Sequence, residues 1–318
     1  MAPRRPFGRS GLEVSPLCLG GNVFGWSADE EASHSVLDAY VAAGGNAIDS
    51  ANVYSGWVPG NRGGESETII GRWLAGRGDR DELVVATKVG MAGGVHPKGL
   101  TRDHVLRGAE GSLARLGVER IDLYYAHEDD PETPLAETLA AFGELIDQGL
   151  VGTIAASNYP AGRLAEAMEV SAREGLPRFE GLHEGYNLMD RGAYEGDLEE
   201  LCRREGLGVG AYFALARGFL SGKYRPGAPA PESARAGTVA RAYLNERGFR
   251  VLSAVDEVAA AHGASAAQVA LAWVMARPGV TCAVASATSA EQVRELAGAM
   301  ELAVAEDEVR RLDAASAV

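Results

Sequence analysis

Only three of the 318 residues are cysteine, Cys18, Cys202 and Cys282, and they lie far apart. That spacing supports neither a disulfide framework nor a paired-cysteine metal site, so no metal is expected. It suits a reducing compartment. Long hydrophobic runs are also missing, and no apolar stretch approaches the length of a membrane span. The amino terminus, MAPRRPFGRSGLEV, has basic residues with no apolar segment behind them. A secretory signal is therefore not expected, and the chain is read as cytoplasmic. Cations are scarce: 30 Lys and Arg face 44 Asp and Glu, a formal net charge of −14. Such a balance argues against general affinity for nucleic acid or an anionic membrane. Any anionic ligand has to be held by a local cluster of cations and backbone N–H groups. No linker, low-complexity tract or second domain interrupts the chain, which is read as one domain over residues 1–318. What is present is globular in character, 46% hydrophobic and 23% charged.

Short apolar runs recur along the chain: SPLCLGG, NAIDSA, ELVVATKV, IDLYYAH, VGTIAASN, FEGLHEGYN, GVGAYFAL and TCAVASA. Runs that are apolar throughout point to strands buried on both faces, hence to a parallel sheet. Helical periodicity fills the gaps. Residues 134–150 place Leu135, Leu139, Phe142, Leu145 and Ile146 on one stripe, with Pro134 before them and Gly149 after. Residues 103–117 show a similar face through Val105, Leu106, Ala109, Leu113 and Leu116. Eight strands, each followed by a helix, predict an α/β fold of the closed (β/α)8 TIM barrel type. An open doubly wound sheet would carry G-x-G-x-x-G in its first turn, where this chain reads GGNVFG. The stretch 216–240 is the least regular and is expected to be a long loop after strand seven.

In such a barrel, chemistry sits at the C-terminal ends of the strands. Asp49 is expected to end strand two, Lys88 strand three and His127 strand four, with Tyr54 just past Asp49. Positions 49, 88 and 127 are evenly spaced, 39 residues apart, as for corresponding positions in successive units. Taken singly, an aspartate there is ordinarily a helix cap and a tyrosine a packing residue. A lysine closing an apolar run is harder to explain, because a buried ammonium is costly unless paired. Together the four suit one chemistry. Hydride attack on a carbonyl builds charge on oxygen, and that oxygen needs a proton. Tyr54 is expected to donate it, with a pKa of about 10 lowered by the Lys88 ammonium. Asp49 would hold Lys88, and His127 would orient the substrate oxygen.

At these residues the sequence resembles the aldo-keto reductases. AIDSANVY, ATKVG and the histidine after IDLYYA are similar to that family's Asp-Tyr-Lys-His tetrad, and ASNYP, YNLMDR, LARGFLSGKY, ALAWVMARPGV and SATSAEQ extend the match from about residue 6 to 315. GESETIIGRWL and the GKY loop are closer to bacterial members and potassium-channel β subunits. The resemblance implies a carbonyl reductase that prefers NADP(H), with NAD(H) possible, acting on a small-molecule carbonyl or alcohol. It assigns Tyr54 as proton donor. It places Ser157 and Asn158 on the nicotinamide carboxamide and Tyr212 against the nicotinamide ring. Leu215, Gly218 and Lys223 would line the pyrophosphate channel, Gly21 and Asn22 the nicotinamide ribose, and Gln292 the adenine. Asp49 belongs to the cofactor side as well as the tetrad. Loops around Trp26, Trp57, Glu128 and Asp129 would shape the substrate pocket.

Three departures bear on these expectations. His183 stands where many members have glutamine, and it would still donate to the carboxamide. The segment after strand eight reads Ser286-Ala287-Thr288-Ser289, so the usual cation for a 2′-phosphate is replaced by Thr288. Leu296 replaces a later asparagine. Arg235, the Ser289 hydroxyl and the N-terminal amides of the last helix are then the expected compensating contacts, with Arg294 a weaker one; Ser286 is expected on the cofactor side as well. Ser289-x-x-Gln292 also reads as a capping box opening the last helix, at a helix N-terminus suited to phosphate. The rival reading is a cofactor-sensing regulatory subunit with little turnover. Substrate identity and oligomeric state are not encoded in any motif here.

Overall fold

The structure is a computed structural model describing residues 3–229 and 231–317. Eight parallel strands close on themselves: β1 Leu17–Gly20, β2 Ala47–Asp49, β3 Val84–Val89, β4 Ile121–Ala126, β5 Val151–Ser157, β6 Gly181–Gly185, β7 Gly208–Tyr212 and β8 Val280–Ala285. Each pairs with its neighbour in sequence, and β8 closes the barrel on β1. The first six strands are each followed by a helix: α1 Glu30–Ala42, α2 Glu65–Leu74, α3 Arg102–Leu116, α4 Leu135–Asp147, α5 Ala161–Glu174 and α6 Asp197–Glu205. Three helices separate β7 from β8, namely α7 Ala236–Tyr243, α8 Glu246–His262 and α9 Ala266–Met275; α10 Ala290–Ala297 and α11 Glu306–Ser316 complete the ring.

The strands form because their residues can be buried twice. Alternate side chains point into the barrel, where Cys18, Ala47, Val84, Ala86, Leu123, Tyr125 and Cys282 pack together. The others meet the helices in one outer core. Helix α4 shows the outer half of this logic. Pro134 presets the entry, Leu135, Leu139, Phe142 and Leu145 are buried, and Gly149 at φ +72° ends the turn. Each such side chain contributes about 1.5–3 kcal/mol by leaving water. Among the described residues, no single helix is long and apolar enough to cross a membrane.

Register corrects the even-spacing argument. Asp49 lies opposite Ala86, not Lys88, and Lys88 lies opposite Tyr125, not His127. Each functional position is therefore two residues further along than its neighbour's partner. A two-residue step keeps the same face of the pleat, so the side chains climb the tilted inner wall while all still pointing inward. Lys88 is also the penultimate residue of its strand rather than its end.

Two features were not foreseen. A two-stranded antiparallel hairpin, Arg5–Pro6 with Glu13–Val14, precedes the barrel. Its Phe7 is buried against the first residues of β6 and β7, plugging the end opposite the site. A Cβ at Gly181 would stand 2.3 Å from that ring, so only glycine fits there. The expected long loop over 216–240 is structured only at its ends: a 3-10 segment spans Ala216–Ser221, and α7 begins at Ala236. Only residues between these two are irregular.

Candidate active site

At the C-terminal rim a cleft of about 800 Å³ opens over the barrel. On its floor, buried Lys88 uses all three ammonium hydrogens. Nζ donates to Asp49 Oδ1 at 2.5 Å, to the Ser50 carbonyl at 2.7 Å and to the Tyr54 hydroxyl at 3.0 Å. Tyr54 in turn donates to Asp49 Oδ2 at 3.3 Å. Burial raises the Asp49 pKa and lowers that of Lys88, each opposed by the partner's charge. Three acceptors around one ammonium satisfy the ionised form completely, and that is the form the geometry supports. Tyr54 and Asp49 reach the cleft, with Lys88 sealed behind them. The loop carrying Tyr54 is pinned to the turn after β1, because Ser55 Oγ donates to the Phe24 carbonyl at 2.7 Å.

The electrostatics of Tyr54 differ from expectation. Burial first, then Asp49, hold its phenol well above the ordinary value. Lys88 does not produce the net lowering anticipated from its proximity. The resting phenol is thus protonated at every physiological pH. His127 lines the cleft with its ring centroid 6.0 Å from that of Tyr54. Burial, then the Lys88 charge, depress its pKa well below the usual range. Its Nδ1 is buried without a hydrogen-bond partner.

The expected cofactor residues mostly converge here. Asn22, Ser157, Asn158, His183, Tyr212 and Leu215 line the cleft, as do Gly218, Lys223, Arg235, Ser286 and Gln292. Asn158 is already engaged: its Nδ2 donates to the His127 carbonyl, and its Oδ1 accepts from Tyr212 OH at 2.6 Å. Tyr212 lies stacked on His183, with centroids 5.0 Å apart. Ser286 Oγ donates to Asn22 Oδ1, tying β8 to the turn after β1.

Several expectations are not met. Gly21 does not face the cleft; its N–H donates to the Asp49 carbonyl, and Ser66 lies behind it. Ser289 caps α10 by accepting from Gln292 N–H, but Gln292 Oε1 reaches back to Thr288 N and Oγ1, so the box is only half formed. Arg294 is exposed on α10 and Leu296 is buried in the core. Glu128 pairs with Lys98 and Asp129 with Arg163, so neither lines the cleft. Trp26 and Trp57 do, edge to face at 5.5 Å.

Sequence reasoning missed three contributors. Ser66 and Glu67 are fully buried on α2. Ser66 bridges Ser50 and the Gly21 carbonyl. Glu67 accepts from Thr87 and Arg115, bracing β3 from outside. Their helical spacing to Ile70 and Trp73 was the available signal. Arg217 is the third. Its guanidinium lies 4.2 Å from the Phe213 ring centre, Arg235 lies 5.7 Å from the same ring and 5.4 Å from Trp26. Among the described residues, Arg217, Lys223 and Arg235 have no carboxylate in ion-pair contact. Among the described residues, five that are not glycine adopt positive φ, namely Ser55, Asn158, Phe213, Ala216 and Arg217, and all stand in or beside the cleft. Such clustering of backbone strain marks functional sites.

A family model described as the aldo/keto reductase family matches residues 16–317. The chain is 35% identical over 316 residues to a Bacillus subtilis protein named uncharacterized oxidoreductase YrpG, covering 96% of this chain and 93% of that one. It is 33% identical over 302 residues to a rice protein named probable voltage-gated potassium channel subunit beta, covering 93% and 90%. It is 32% identical over 330 residues to the Escherichia coli protein named tas, covering 96% and 95%. With the closed barrel and the rim site already in place, these matches establish that the chain belongs to the aldo/keto reductase family.

Proposed function

We propose that the chain is a cytoplasmic, single-domain NADP(H)-dependent oxidoreductase that converts an aldehyde, ketone or sugar carbonyl to an alcohol, or the reverse. The observation that carries this reading is the Asp49–Lys88–Tyr54 constellation, whose only proton-bearing group open to the cleft is the Tyr54 hydroxyl. The cleft fits a dinucleotide. Arg217, Lys223 and Arg235 offer cations without carboxylate partners, and the ring of Tyr212 presents a flat face beside Asn158. Bound there, a reduced nicotinamide supplies hydride.

The chain's own residues do the rest. Tyr54 donates its hydroxyl proton to the oxygen on which charge develops. Lys88 holds three dipoles and charges in place and stabilises the phenolate left behind. Asp49 keeps Lys88 charged. Neutral His127 orients the carbonyl oxygen by a hydrogen bond. Ser157 and Asn158 hold the nicotinamide amide, which requires Asn158 to exchange one of its present contacts. Lys223, Arg217 and Arg235 take phosphate oxygens by charge-assisted bonds. The aromatic pair Trp26 and Trp57 walls the substrate side.

The likeness to a protein named a probable channel β subunit supports a second reading, a cofactor-sensing subunit with little turnover. One assay separates the two: loss of reduced-cofactor absorbance with a panel of aldehydes, ketones and sugars, using NADPH and NADH. The reductase reading expects a kcat of about 1–1,000 per second on some carbonyl. It also expects Tyr54→Phe to lose about 100-fold or more with NADPH affinity unchanged. Tight cofactor binding with no turnover across the panel would instead favour the sensing subunit.

A further inference from the structure

His183, the third residue of β6, is buried on the inner wall. Its two ring nitrogens face different partners. Nδ1 lies 3.5 Å from Ser157 Oγ, and that oxygen already accepts from Asn158 Nδ2 at 3.1 Å. Ser157 Oγ keeps a second lone pair, so this contact is met by either tautomer; the one in which the Ser157 hydroxyl donates to Nδ1 places the ring proton on Nε2. Nε2 is buried and has no hydrogen-bond partner. It stands 3.9 Å from Asp49 Oδ2, too far for a bond at rest. That same oxygen is the one accepting from Tyr54 OH. The ring is held between Tyr125 and Tyr212, at centroid distances of 5.3 and 5.0 Å. Burial and the Lys88 charge keep it neutral.

Asp49 Oδ2 thus has two candidate donors and satisfies one. When the Tyr54 hydroxyl turns toward a substrate oxygen, a buried carboxylate oxygen would lose its donor, and an unsatisfied buried acceptor is expensive. We propose that His183 is a positioning residue that acts through Asp49: its Nε2–H moves onto Oδ2 as Tyr54 leaves it, a shift of about 1 Å to reach ordinary bond length. The exchange keeps the carboxylate paired throughout, so Tyr54 is released at no electrostatic loss to Lys88. This rests on Tyr54 being the proton donor. It also gives both ring nitrogens work inside the barrel wall, leaving neither to serve the cofactor.

Two amide substitutions separate the ring's functions. In His183→Gln the amide nitrogen reaches the place of Nε2; in His183→Asn it reaches only the place of Nδ1. His183→Gln should keep kcat close to the parent. His183→Asn and His183→Phe should lose about 10- to 150-fold in kcat, the worth of one hydrogen bond to a charged group, with carbonyl KM and NADPH Kd unchanged. Equal kcat for the Asn and Gln variants would overturn the proposal. So would a loss that appears in NADPH Kd with kcat at saturation intact. A second readout needs no turnover: nitrogen-15 NMR of the His183 imidazole in the resting protein. It should show the Nε2-protonated tautomer, and Tyr54→Phe should shift the Nε2–H signal toward stronger hydrogen bonding by freeing Oδ2. An Nδ1-protonated ring, or one blind to Tyr54→Phe, would overturn the exchange. A protein inactive on every carbonyl would sink the reductase reading, and the NMR arm would still decide this one.

Discussion

At the scale of single residues, Lys88 concentrates the energetics of the site. Its ammonium is wholly buried, and everything that compensates it lies within three hydrogen bonds. Removing it strands Asp49 as an unpaired buried carboxylate. Lys88→Met is expected to lower stability by roughly 3–5 kcal/mol and to abolish carbonyl reduction; denaturant melts and steady-state rates check the two halves separately. A Met variant as stable as the parent would mean the pair is not buried in solution. The two neutral histidines add a pH signature. His127 and His183 have pKa values depressed well below 6.5 by burial and by Lys88. The unfolded chain therefore takes up protons near pH 6.5 that the native state refuses. Stability present above that pH is lost as pH falls toward the native values. Each group contributes a slope of about 1.4 kcal/mol per pH unit in that window. Melting temperature should thus fall on acidification below about 6.5, and less steeply in His183→Gln. A pH-independent melting temperature across that window would show that these rings are not held neutral.

At the scale of elements, the segment between the 3-10 turn and α7 is expected to govern cofactor choice. It brings Lys223 and Arg235 over the cleft, and Arg235 rests between Trp26 and Phe213. With Thr288 in place of a cation, discrimination for the 2′-phosphate is expected to fall to this segment. NADPH is expected to bind more tightly than NADH, and Arg235→Ala should reduce that preference by about 10- to 150-fold, the worth of one charged hydrogen bond. Dissociation constants for both cofactors measure it, and an unchanged ratio would remove Arg235 from the phosphate site. The same segment shows where sequence stops being informative. The eight strands and helix α4 could be read off because double burial and a 3.6-residue stripe leave periodic traces. Asp49, Lys88 and His127 could be read off because charge and imidazole interrupt apolar runs. The 3-10 turn could not: of its three positive-φ residues only Gly218 is a glycine, and Ala216 and Arg217 carry no local mark. Nor could the Tyr54 pKa direction, which depends on how much water the loops exclude, nor the Gln292 side chain's choice of Thr288 over the Ser289 N–H.

At the scale of the whole molecule, the two ends of the barrel divide the labour. The rim carries polar chemistry and strained backbone, while the opposite mouth is closed by Phe7 against Gly181 and Gly208. Conserving activity and conserving stability are then separable tasks. Phe7→Ala is expected to cost about 3–5 kcal/mol through the cavity it leaves, with kcat and KM unaltered below the new melting temperature. A change in kcat at a temperature where the variant is fully folded would show that the plug communicates with the rim. The excess of acidic residues has a further consequence for how a nucleotide arrives. A chain of net charge −14 repels a polyphosphate at long range, and only inside the reach of Arg217, Lys223 and Arg235 does the sign of the force reverse. Mobile ions screen beyond about 8 Å at physiological strength, so they erase the outer repulsion before they touch the inner attraction. Diffusional capture should therefore quicken as salt is first added, the reverse of the usual behaviour of a phosphate-binding protein.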